Sequence, residues 1–194
     1  MVNSLGVDIS SGDGIINWQL AASRGIRWAT IRATLGVNAI DDRYGANMAG
    51  AYAAGIKRMP YHWFNPKLDH IAQANWFYNH SSYAELGRMV DLEDSGLYYR
   101  GYHGIWPKIK SFCALALVET IYVSPSYIKA YLYDCPDLND YHILIANWDC
   151  ATPGYCKPLI PLSWCGWQYT GNAYGPYYGI QALDAALYIW QGYI

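Results

Sequence analysis

The chain has 194 residues, which suits one domain and falls slightly short of the roughly 250 residues of an eight-fold barrel with every helix present. Because 53% of the residues are hydrophobic and only 14% are charged, the composition predicts a substantial core and argues against long disordered segments. A net charge of −2 leaves no basic stripe to neutralise phosphates, which argues against nucleic acid as the main partner. No apolar stretch reaches the ~18 residues needed to span a bilayer, so no membrane insertion is expected.

The first half of the sequence alternates apolar strand patterns with helical patterns. Helices are expected from Asn17, a capping residue, to Arg24, from Asp41 to Gly55, and from Leu68 to His80. Strands are expected at Leu5–Ile9, Trp28–Ala33, Arg58–Phe64 and Arg88–Leu92. This alternation is typical of a parallel sheet with right-handed crossovers.

The second half begins with the same alternation and then loses its helices. A helical pattern near Gly104–Leu117 precedes a strand at Thr120–Val123, and Ser124-Pro125 has the N-cap and first-turn residues of another helix. Two further strands, His142–Ala146 and Trp164–Tyr169, have no long helix between them. The pattern predicts an α/β fold, a TIM-like barrel without its last helices. An open doubly wound sheet is the alternative, although no G-x-G-x-x-G motif follows the first strand.

Polar and aromatic residues stand at the carboxyl ends of the predicted strands. In a parallel barrel this is the edge at which the active site is built. The twenty Tyr and nine Trp residues fit a carbohydrate groove, because each has an apolar face and a polar tip. The residues at this edge are Asp8, Arg32, Tyr61, His62, Asp91, Glu93, Tyr122, Asn147, Trp148, Gln168 and Tyr169, and the last segment adds Asp184.

Asp91-Leu92-Glu93 is the strongest local signal for chemistry. Side chains two apart in a strand point the same way, so both carboxylates are expected at the barrel mouth while Leu92 packs away from it. Two carboxylates that share a site separate their pKa values, which leaves one protonated acid beside one anion, as glycosidic bond cleavage requires. With Asp94 next in the chain, an acidic solvated turn is the alternative. Asp8 adds weight, because an acid inside a short apolar strand is costly without a task.

The remaining reactive residues fit other chemistries poorly. His62 is either a base or a hydrogen-bonded wall residue, and no serine belongs to a nucleophile elbow. Reduced and mostly buried thiols are expected, although Cys150 and Cys156 flank a Pro-Gly loop and are able to pair under oxidising conditions. Neither the cysteine spacing nor a nearby histidine suits a metal, so no metal or cofactor is expected. The five cysteines are Cys113, Cys135, Cys150, Cys156 and Cys165.

These segments together resemble glycoside hydrolase family 25, the lysozymes found in phage endolysins, bacteria and some fungi. The similarity runs in the family's order from residue 5 to about residue 190, and each match is weak singly but specific in combination. The matching segments are Gly6-Val7-Asp8-Ile9-Ser10, Ile31-Arg32-Ala33-Thr34, Tyr61-His62-Trp63-Phe64, Asp91-Leu92-Glu93, Ile121-Tyr122-Val123-Ser124, Ile145-Ala146-Asn147-Trp148, Trp167-Gln168-Tyr169-Thr170 and Gly179-Ile180 leading to Asp184.

The resemblance implies a flattened barrel of eight strands and about five helices, forming one catalytic domain over residues 1–194 with no separate wall-binding module. It implies hydrolysis of the β-1,4 bond between N-acetylmuramic acid and N-acetylglucosamine, with peptidoglycan glycan strands as the partner of a monomeric enzyme. The first nine residues lack a secretory signal. The chain is therefore expected to be a phage endolysin, made in the host cytoplasm and acting on the wall, or a bacterial enzyme released outside the cell.

The resemblance also assigns roles. Glu93 corresponds to the general acid/base and Asp91 to the group that orients and stabilises the substrate's 2-acetamido group, while Asp8 and Asp184 complete the acidic cluster. Substrate assistance by the acetamido oxygen is favoured, and an inverting route with Asp8 or Asp184 as the base is the alternative. The residues expected to bind substrate are Arg32, Tyr61, His62, Trp63, Tyr122, Asn147, Trp148, Gln168 and Tyr169.

The sequence departs from the family pattern in its binding residues. Arg32 stands where many members have Lys, Leu35 replaces a polar or aromatic residue, and Asn147-Trp148 replaces an Arg-Tyr-like pair. Two other functions stay open: a non-catalytic glycan-binding protein, against which the four retained acids argue, and a glycosidase such as a chitinase. Gly87 and Met89 do not fit the D-x-x-D-x-D-x-E pattern of barrel chitinases.

Overall fold

A computed structural model of the chain describes residues 3–94, 104–148, 163–182 and 184–191. Within these residues lie nine strands and five α-helices, numbered here in chain order. The strands are β1 Asn3–Ile9, β2 Ile26–Leu35, β3 Ala39–Ile40, β4 Lys57–Trp63, β5 Met89–Leu92, β6 Thr120–Val123, β7 His142–Ala146, β8 Gly166–Tyr174 and β9 Asp184–Gln191. The helices are α1 Trp18–Ser23, α2 Tyr44–Ala53, α3 His70–His80, α4 Trp106–Ala116 and α5 Pro125–Tyr131.

Eight of these strands close into a barrel. The hydrogen-bonded order runs β1, β9, β8, β7, β6, β5, β4, β2, and β2 pairs with β1 to complete the ring. The two-residue strand β3 pairs with the end of β2 outside this ring. The predicted barrel with five helices is confirmed, and the open doubly wound sheet is wrong for this chain.

The last strand, β9, runs antiparallel to both of its neighbours, β1 and β8, whereas the other barrel pairs are parallel. Repeated strand–helix units predict parallel strands alone, so the sequence pattern misses this reversal. A 3-10 turn at Gly175–Tyr178 ends in Gly179 with a φ of 78° and returns the chain within a few residues, too short for a parallel crossover. Because β9 supplies the hydrogen bonds, β8 continues to Tyr174, beyond its predicted end at Tyr169.

Side-chain caps begin three of the helices, and two of these caps are predicted by the sequence. The side chains of Asn17 and Ser124 accept hydrogen bonds from backbone amides in the first turns of α1 and α5, which confirms both predictions. Asp69 caps α3 in the same way. The second helix starts at Tyr44 rather than at Asp41, because the Asp41 carboxylate binds groups near the barrel mouth instead.

The core has two layers, as expected from strands whose side chains alternate between faces. An outer layer fills the space between the barrel and the helices. The inner layer fills the barrel, where Trp28 lies across β1 so closely that a Cβ on Gly6 would come within 2.2 Å of the indole. Among the described residues, none of the helices has both the length and the apolar character needed to cross a bilayer. The inner layer consists of Trp28, Met59, Tyr61, Met89, Tyr122, Leu144 and Tyr188.

Candidate active site

A cleft of about 390 Å³ opens at the carboxyl ends of β2, β4 and β5. This volume lies in the range of clefts that bind small ligands, and the position is the edge at which parallel barrels build their active sites. Except for Leu35, every residue of the lining belongs to the set of predicted site residues. The lining consists of Arg32, Leu35, Tyr61, Trp63, Asp91 and Glu93.

Asp91 and Glu93 lie at the end of β5 and both line the cleft, while Leu92 between them packs in the outer core. Asp91 is only 4% exposed, whereas Glu93 is exposed. Burial is the largest cause that raises the pKa of Asp91 well above its ordinary value, followed by the charges of Glu93 and Asp8 and a hydrogen bond with Glu93. Arg32 acts in the opposite direction. The two carboxyls therefore form a pair that favours holding a proton.

One oxygen of the Asp91 carboxyl lacks a hydrogen-bond partner within the described part of the chain. This atom, Oδ1, is buried and unpaired among the described residues. Leaving a buried acceptor unpaired costs about 1–3 kcal/mol, so such an atom in a cleft is a candidate acceptor for a donor on the ligand. An amide N–H of a bound substrate is a donor of the required kind.

Asp8, in β1, receives three hydrogen bonds inside the barrel. Thr30 Oγ1 lies 2.9 Å from its Oδ1, while the Tyr188 hydroxyl donates to Oδ2 at 3.0 Å and Gln168 Nε2 donates to Oδ2 at 3.4 Å. Burial nevertheless dominates, with smaller contributions from the charges of Asp13 and Glu93, and the pKa of Asp8 rises to about 6. The three donors favour the ionised carboxylate, whereas burial disfavours it. As a result Asp8 titrates near neutral pH.

Gln168 joins Asp8 to the aromatic residues at the far side of the mouth. Its Oε1 accepts hydrogen bonds from the Tyr122 hydroxyl at 2.8 Å and from the Trp148 indole at 2.6 Å. Since both donors approach the same oxygen, the amide nitrogen must be the atom that faces Asp8. Tyr122 and Gln168 are buried, and 55% of Trp148 is exposed on the rim.

Hydrogen bonds to Asp41 and Ser11 position Arg32 in the cleft. Its Nε donates to Asp41 Oδ2 at 2.9 Å, and its Nη2 donates to Ser11 Oγ at 3.2 Å. The Asp41 carboxylate is fully buried and also accepts from the backbone amides of Ser11 and Arg43. This network places a cation beside Asp91, where it lowers that group's pKa.

Two predicted substrate-binding residues lie on the outer face of the barrel. His62 is fully buried between Thr34 Oγ1, 2.7 Å from its Nδ1, and Gln73 Oε1, 3.2 Å from its Nε2. Burial lowers the pKa of His62 to about 4. Tyr169 packs in the outer core against Trp167. Both are therefore corrected from substrate-binding residues to wall residues, because their neighbours Tyr61 and Gln168 occupy the inward positions.

Asn147 and Asp184 stand at the mouth without a described side-chain contact to the acids. The backbone N–H of Asn147 donates to the Gln168 carbonyl oxygen, and the Asn147 carbonyl oxygen accepts from the Trp167 indole. Asp184 is exposed at the start of β9, opposite Tyr174 and two residues from Ala186, which pairs with Asp8. Its membership of the acidic cluster stays a prediction.

Several residues of the site are absent from the sequence prediction. Tyr188 and Thr30 bind Asp8, Asp13 adds charge near it, and Asp41 orients Arg32. In the sequence, Asp41 predicts the start of a helix and not a contact with Arg32. The described cysteines Cys113, Cys135 and Cys165 are free thiols, while Cys150 and Cys156 lie outside the described residues. In the described part of the chain, no group of three or more His, Cys, Asp or Glu side chains is placed to hold a metal ion.

The sequence model of the family described as Glycosyl hydrolases family 25 matches residues 7–176, which is most of the chain. The chain belongs to this family. Among curated relatives, Lysozyme M1 of Streptomyces globisporus is 45% identical over 73 residues, a match that spans 37% of this chain and 25% of that protein. The matched region thus covers a quarter of the relative's length.

Solved structures of a family 25 glycosyl hydrolase, a bacterial lysozyme and an endolysin share the fold of this chain. A family 25 glycosyl hydrolase from Bacillus anthracis superposes with a TM-score of 0.82 at 19% identity, covering 98% of this chain and 89% of that one. The bacterial lysozyme from Streptomyces coelicolor superposes with a TM-score of 0.80 at 27% identity, covering 99% and 94%. The CTP1L endolysin has a TM-score of 0.80 at 22% identity, covering 97% and 66%.

The family 25 match includes three of the four predicted acids. Asp8, Asp91 and Glu93 lie within the matched residues and come together at one barrel edge. Asp184 lies beyond residue 176, as does Tyr188, the hydrogen-bond donor that β9 contributes to Asp8.

Proposed function

We propose that this family 25 chain is a lysozyme that hydrolyses the β-1,4 bond between N-acetylmuramic acid and N-acetylglucosamine in peptidoglycan. The observation that carries the proposal is the Asp91–Glu93 pair, one carboxyl buried and one exposed, lining the same cleft at the carboxyl edge of the barrel. A likeness over nearly the whole chain to a bacterial lysozyme supports the substrate class.

In this mechanism Glu93 is the general acid and Asp91 orients the substrate. When the 2-acetamido N–H donates to the unpaired Oδ1 of Asp91, the bond favours the ionised form of Asp91. Glu93, as the general acid, gives a proton to the glycosidic oxygen as the bond to the anomeric carbon breaks. The exposed position of Glu93 lets it reach a leaving oxygen in the cleft.

Substrate assistance completes the reaction. The acetamido carbonyl oxygen attacks the anomeric carbon and forms an oxazolinium ring, whose positive charge the Asp91 carboxylate stabilises. Water then attacks the anomeric carbon, Glu93 takes its proton, and the ring opens to give a product with retained configuration. The position of Asp91 and Glu93 at the end of one strand, β5, supports this route, because a nucleophile or base must act on the opposite side of the scissile bond from the acid.

The inverting alternative uses Asp8 as the base for an attacking water. Its pKa of about 6 and its interaction with Glu93 are compatible with that role. Proton NMR of freshly released reducing ends separates the two routes: we expect the β-anomer first, and initial appearance of the α-anomer would reject substrate assistance.

The test of the function is Glu93→Gln, which keeps the size of the side chain and removes the proton. We expect kcat on peptidoglycan to fall by about 10²–10⁴-fold with an unchanged fold. Glu119→Gln is the matched control, because Glu119 is also exposed but precedes β6 at the opposite barrel edge. Mass spectrometry of digested peptidoglycan should find new N-acetylmuramic acid reducing ends. N-acetylglucosamine ends, or wild-type activity in the Glu93 variant, would contradict the proposal.

The biological role that we propose is that of a phage endolysin. The CTP1L endolysin shares the fold of this chain at 22% identity. Co-expression in a bacterium with a membrane-permeabilising protein should lyse the cells, and the Glu93→Gln variant should not. Equal lysis by both proteins would argue against a lytic role for this cleft.

A further inference from the structure

The turn that follows β1 is closed by contacts between the residues at its two ends. Residues Ser11–Asp13 form one turn of 3-10 helix directly after this strand. Asp13 Oδ2 accepts hydrogen bonds from the backbone N–H of Ser10 at 2.7 Å and from the Ser10 hydroxyl at 3.0 Å. Ser10 Oγ in turn accepts from the backbone N–H of Gly12 at 3.2 Å. This arrangement is a capping box, and it fixes the backbone of the residue that it encloses, Ser11.

Ser11 contacts both members of the ion pair at the cleft. Its backbone N–H donates to Asp41 Oδ2 at 2.9 Å, and its hydroxyl oxygen accepts from Arg32 Nη2 at 3.2 Å. The same oxygen of Asp41 accepts from Arg32 Nε at 2.9 Å. Ser11, Asp41 and Arg32 therefore form a closed ring of three contacts. Because Arg32 lines the cleft together with Asp91, a displaced Ser11 would leave the cation of the cleft less firmly held.

The backbone of Asp13 is anchored to the segment that precedes β9. The backbone N–H of Ala182 donates to the Asp13 carbonyl oxygen at 3.1 Å. Ile15 adds two contacts to the same segment: its N–H donates to Gln181 Oε1 at 2.7 Å, and its carbonyl oxygen accepts from the Gln181 backbone N–H at 3.1 Å. The last connection of the barrel thus fixes the place from which the Asp13 carboxylate closes the turn.

The Asp13 carboxylate also acts through its charge. Burial is the largest cause that raises the pKa of Asp13. The hydrogen bonds from Ser10 and the charge of Arg32 lower this pKa, whereas the charge of Asp41 raises it. The charge of Asp13 adds to the larger effect of burial in raising the pKa of Asp8. Closing the turn and supplying a charge are separable, because an amide keeps an acceptor oxygen and loses the charge.

We propose that Asp13 is a positioning residue for the cleavage reaction, closing the turn through which Ser11 holds Arg32 beside Asp91. The proposal rests on the proposed function, because the place of Arg32 affects catalysis only if the neighbouring acids act on a glycosidic bond. Asp13 is not among the residues that line the described cleft, so it acts through Ser11 and Arg32 rather than on the substrate.

The experiment compares Asp13→Ala with Asp13→Asn. Both variants lack the charge, but only Asn keeps an acceptor for Ser10, so the difference between them measures the effect of the closed turn. We expect kcat/KM on peptidoglycan to be about ten-fold lower in Asp13→Ala than in Asp13→Asn, because small displacements of a positioned group are costly. Equal kcat/KM values in the two variants would contradict the proposal.

The pH profile gives a readout that a loss of stability alone would not move. Arg32 lowers the pKa of Asp91, so its displacement should place the acid limb at higher pH in Asp13→Ala than in Asp13→Asn. The other charges that act on Asp91, those of Glu93 and Asp8, are retained in both variants. Coincident acid limbs would show that the turn does not act on the acid pair.

Asp137 provides the matched control. It is a half-buried acid in another 3-10 turn, Pro136–Asp140, and its carboxylate accepts from the Trp106 indole at 2.5 Å. This turn precedes β7 and therefore lies at the barrel edge opposite the cleft. Asp137→Ala and Asp137→Asn should have the kcat/KM and the pH profile of the wild type, even where the two variants differ in stability.

A measurement without substrate keeps this proposal separate from the proposed catalysis. The Arg32 Nε–H donates to Asp41, so its exchange with solvent, followed by NMR of nitrogen-15-labelled protein, reports whether the guanidinium keeps its place. The signal is assigned from its loss in Arg32→Lys. We expect exchange about ten-fold faster in Asp13→Ala than in Asp13→Asn. Ser10→Ala, which opens the same box and keeps the Asp13 charge, should also exchange faster than the wild type.

The outcomes of this measurement decide the proposal whatever the enzyme cleaves. Faster exchange in Asp13→Ala supports the positioning role even if the wild type releases no muramic ends. If Asp13→Ala does not fold, Ser10→Ala provides the same comparison with the wild type. Exchange as slow as in the wild type, in each variant that folds, rejects the positioning role even if the wild type is a lysozyme.

Discussion

Tyr188 donates a hydrogen bond of 3.0 Å to Asp8 from a strand that runs antiparallel to the strand of Asp8. Tyr188 pairs with Gly6, two residues before Asp8, so its phenol reaches along the barrel interior to the carboxylate. Asp8, which is partly buried, thus lies between the first and the last strand of the barrel, and β9 supplies a donor that stabilises its ionised form.

Removal of this donor tests its effect on Asp8. Tyr188→Phe deletes a bond that favours the ionised carboxylate, so the pKa of Asp8 should rise above its present value of about 6. If catalysis needs the Asp8 anion, the acid limb of the pH–kcat/KM profile moves to higher pH. Tyr177→Phe, at an exposed tyrosine, is the control. An acid limb identical in both variants would show that Asp8 does not set it.

The pH dependence of stability should reveal Asp8 directly. Its folded-state pKa of about 6 exceeds its ordinary value of 3.8, so the folded state binds the proton more tightly, and this stabilisation is lost as the pH rises through 6. Asp8→Asn removes the effect. Relative to the wild type, the variant should gain about 3 kcal/mol in free energy of unfolding between pH 3.8 and pH 7. Urea titrations across that range provide the measurement, and a pH-independent difference would contradict the burial of this charge.

His62 should produce the opposite dependence. Its folded-state pKa of about 4 lies below its ordinary value of 6.5, so its contribution is present above pH 6.5 and is lost as the pH falls towards 4. His62→Gln should therefore gain about 3 kcal/mol relative to the wild type as the pH falls through that window. Between pH 6 and pH 4 the contributions of Asp8 and His62 to the free energy of unfolding change in opposite directions and nearly cancel in the wild type. The contribution of one group is therefore measured in the variant that lacks the other.

Asp91 should show a conflict between stability and activity. Burial and the neighbouring carboxylates raise its pKa, so the ionised form opposes folding at neutral pH. Asp91→Asn should abolish most of the activity and raise the free energy of unfolding by about 1 kcal/mol at pH 7. Chemical denaturation at pH 7 and a peptidoglycan-clearing assay test both parts. A less stable variant would mean that the carboxyl is better satisfied than its unpaired Oδ1 indicates.

The sequence predicts the barrel and the acid pair because both depend on local patterns. Apolar runs alternate with helical ones, and Asp91 and Glu93, two residues apart, necessarily face one side of a strand. The same rule, applied to Tyr61-His62 and Gln168-Tyr169, allows only one residue of each pair to face the mouth. The prediction that His62 and Tyr169 bind substrate is wrong because this alternation turns both side chains towards the outer core.

Other parts of the site depend on contacts that no local pattern encodes. The bond from Tyr188 to Asp8 exists because β9 reverses direction after a short turn, and the partners are 180 residues apart in the chain. Asp41 resembles a helix N-terminus in sequence, but its carboxylate is drawn to Arg32 by the closure of β2 against the loop after β1. Such pairs can be identified from the closed barrel but not from a local sequence pattern.

Arg32 offers the last test, because it interacts with two acids in different ways. Its bond to the buried Asp41 is structural, so Arg32→Gln should cost about 1–3 kcal/mol, because Asp41 loses its cation and keeps the backbone amides of Ser11 and Arg43. The guanidinium also lowers the pKa of Asp91, so its removal should raise that pKa and move the acid limb of activity to higher pH. The double variant Arg32→Gln/Asp41→Asn removes the unpaired charge and should recover most of the stability while keeping the shifted pH profile. If the double variant restores both properties, Arg32 acts on the cleft only by holding its shape.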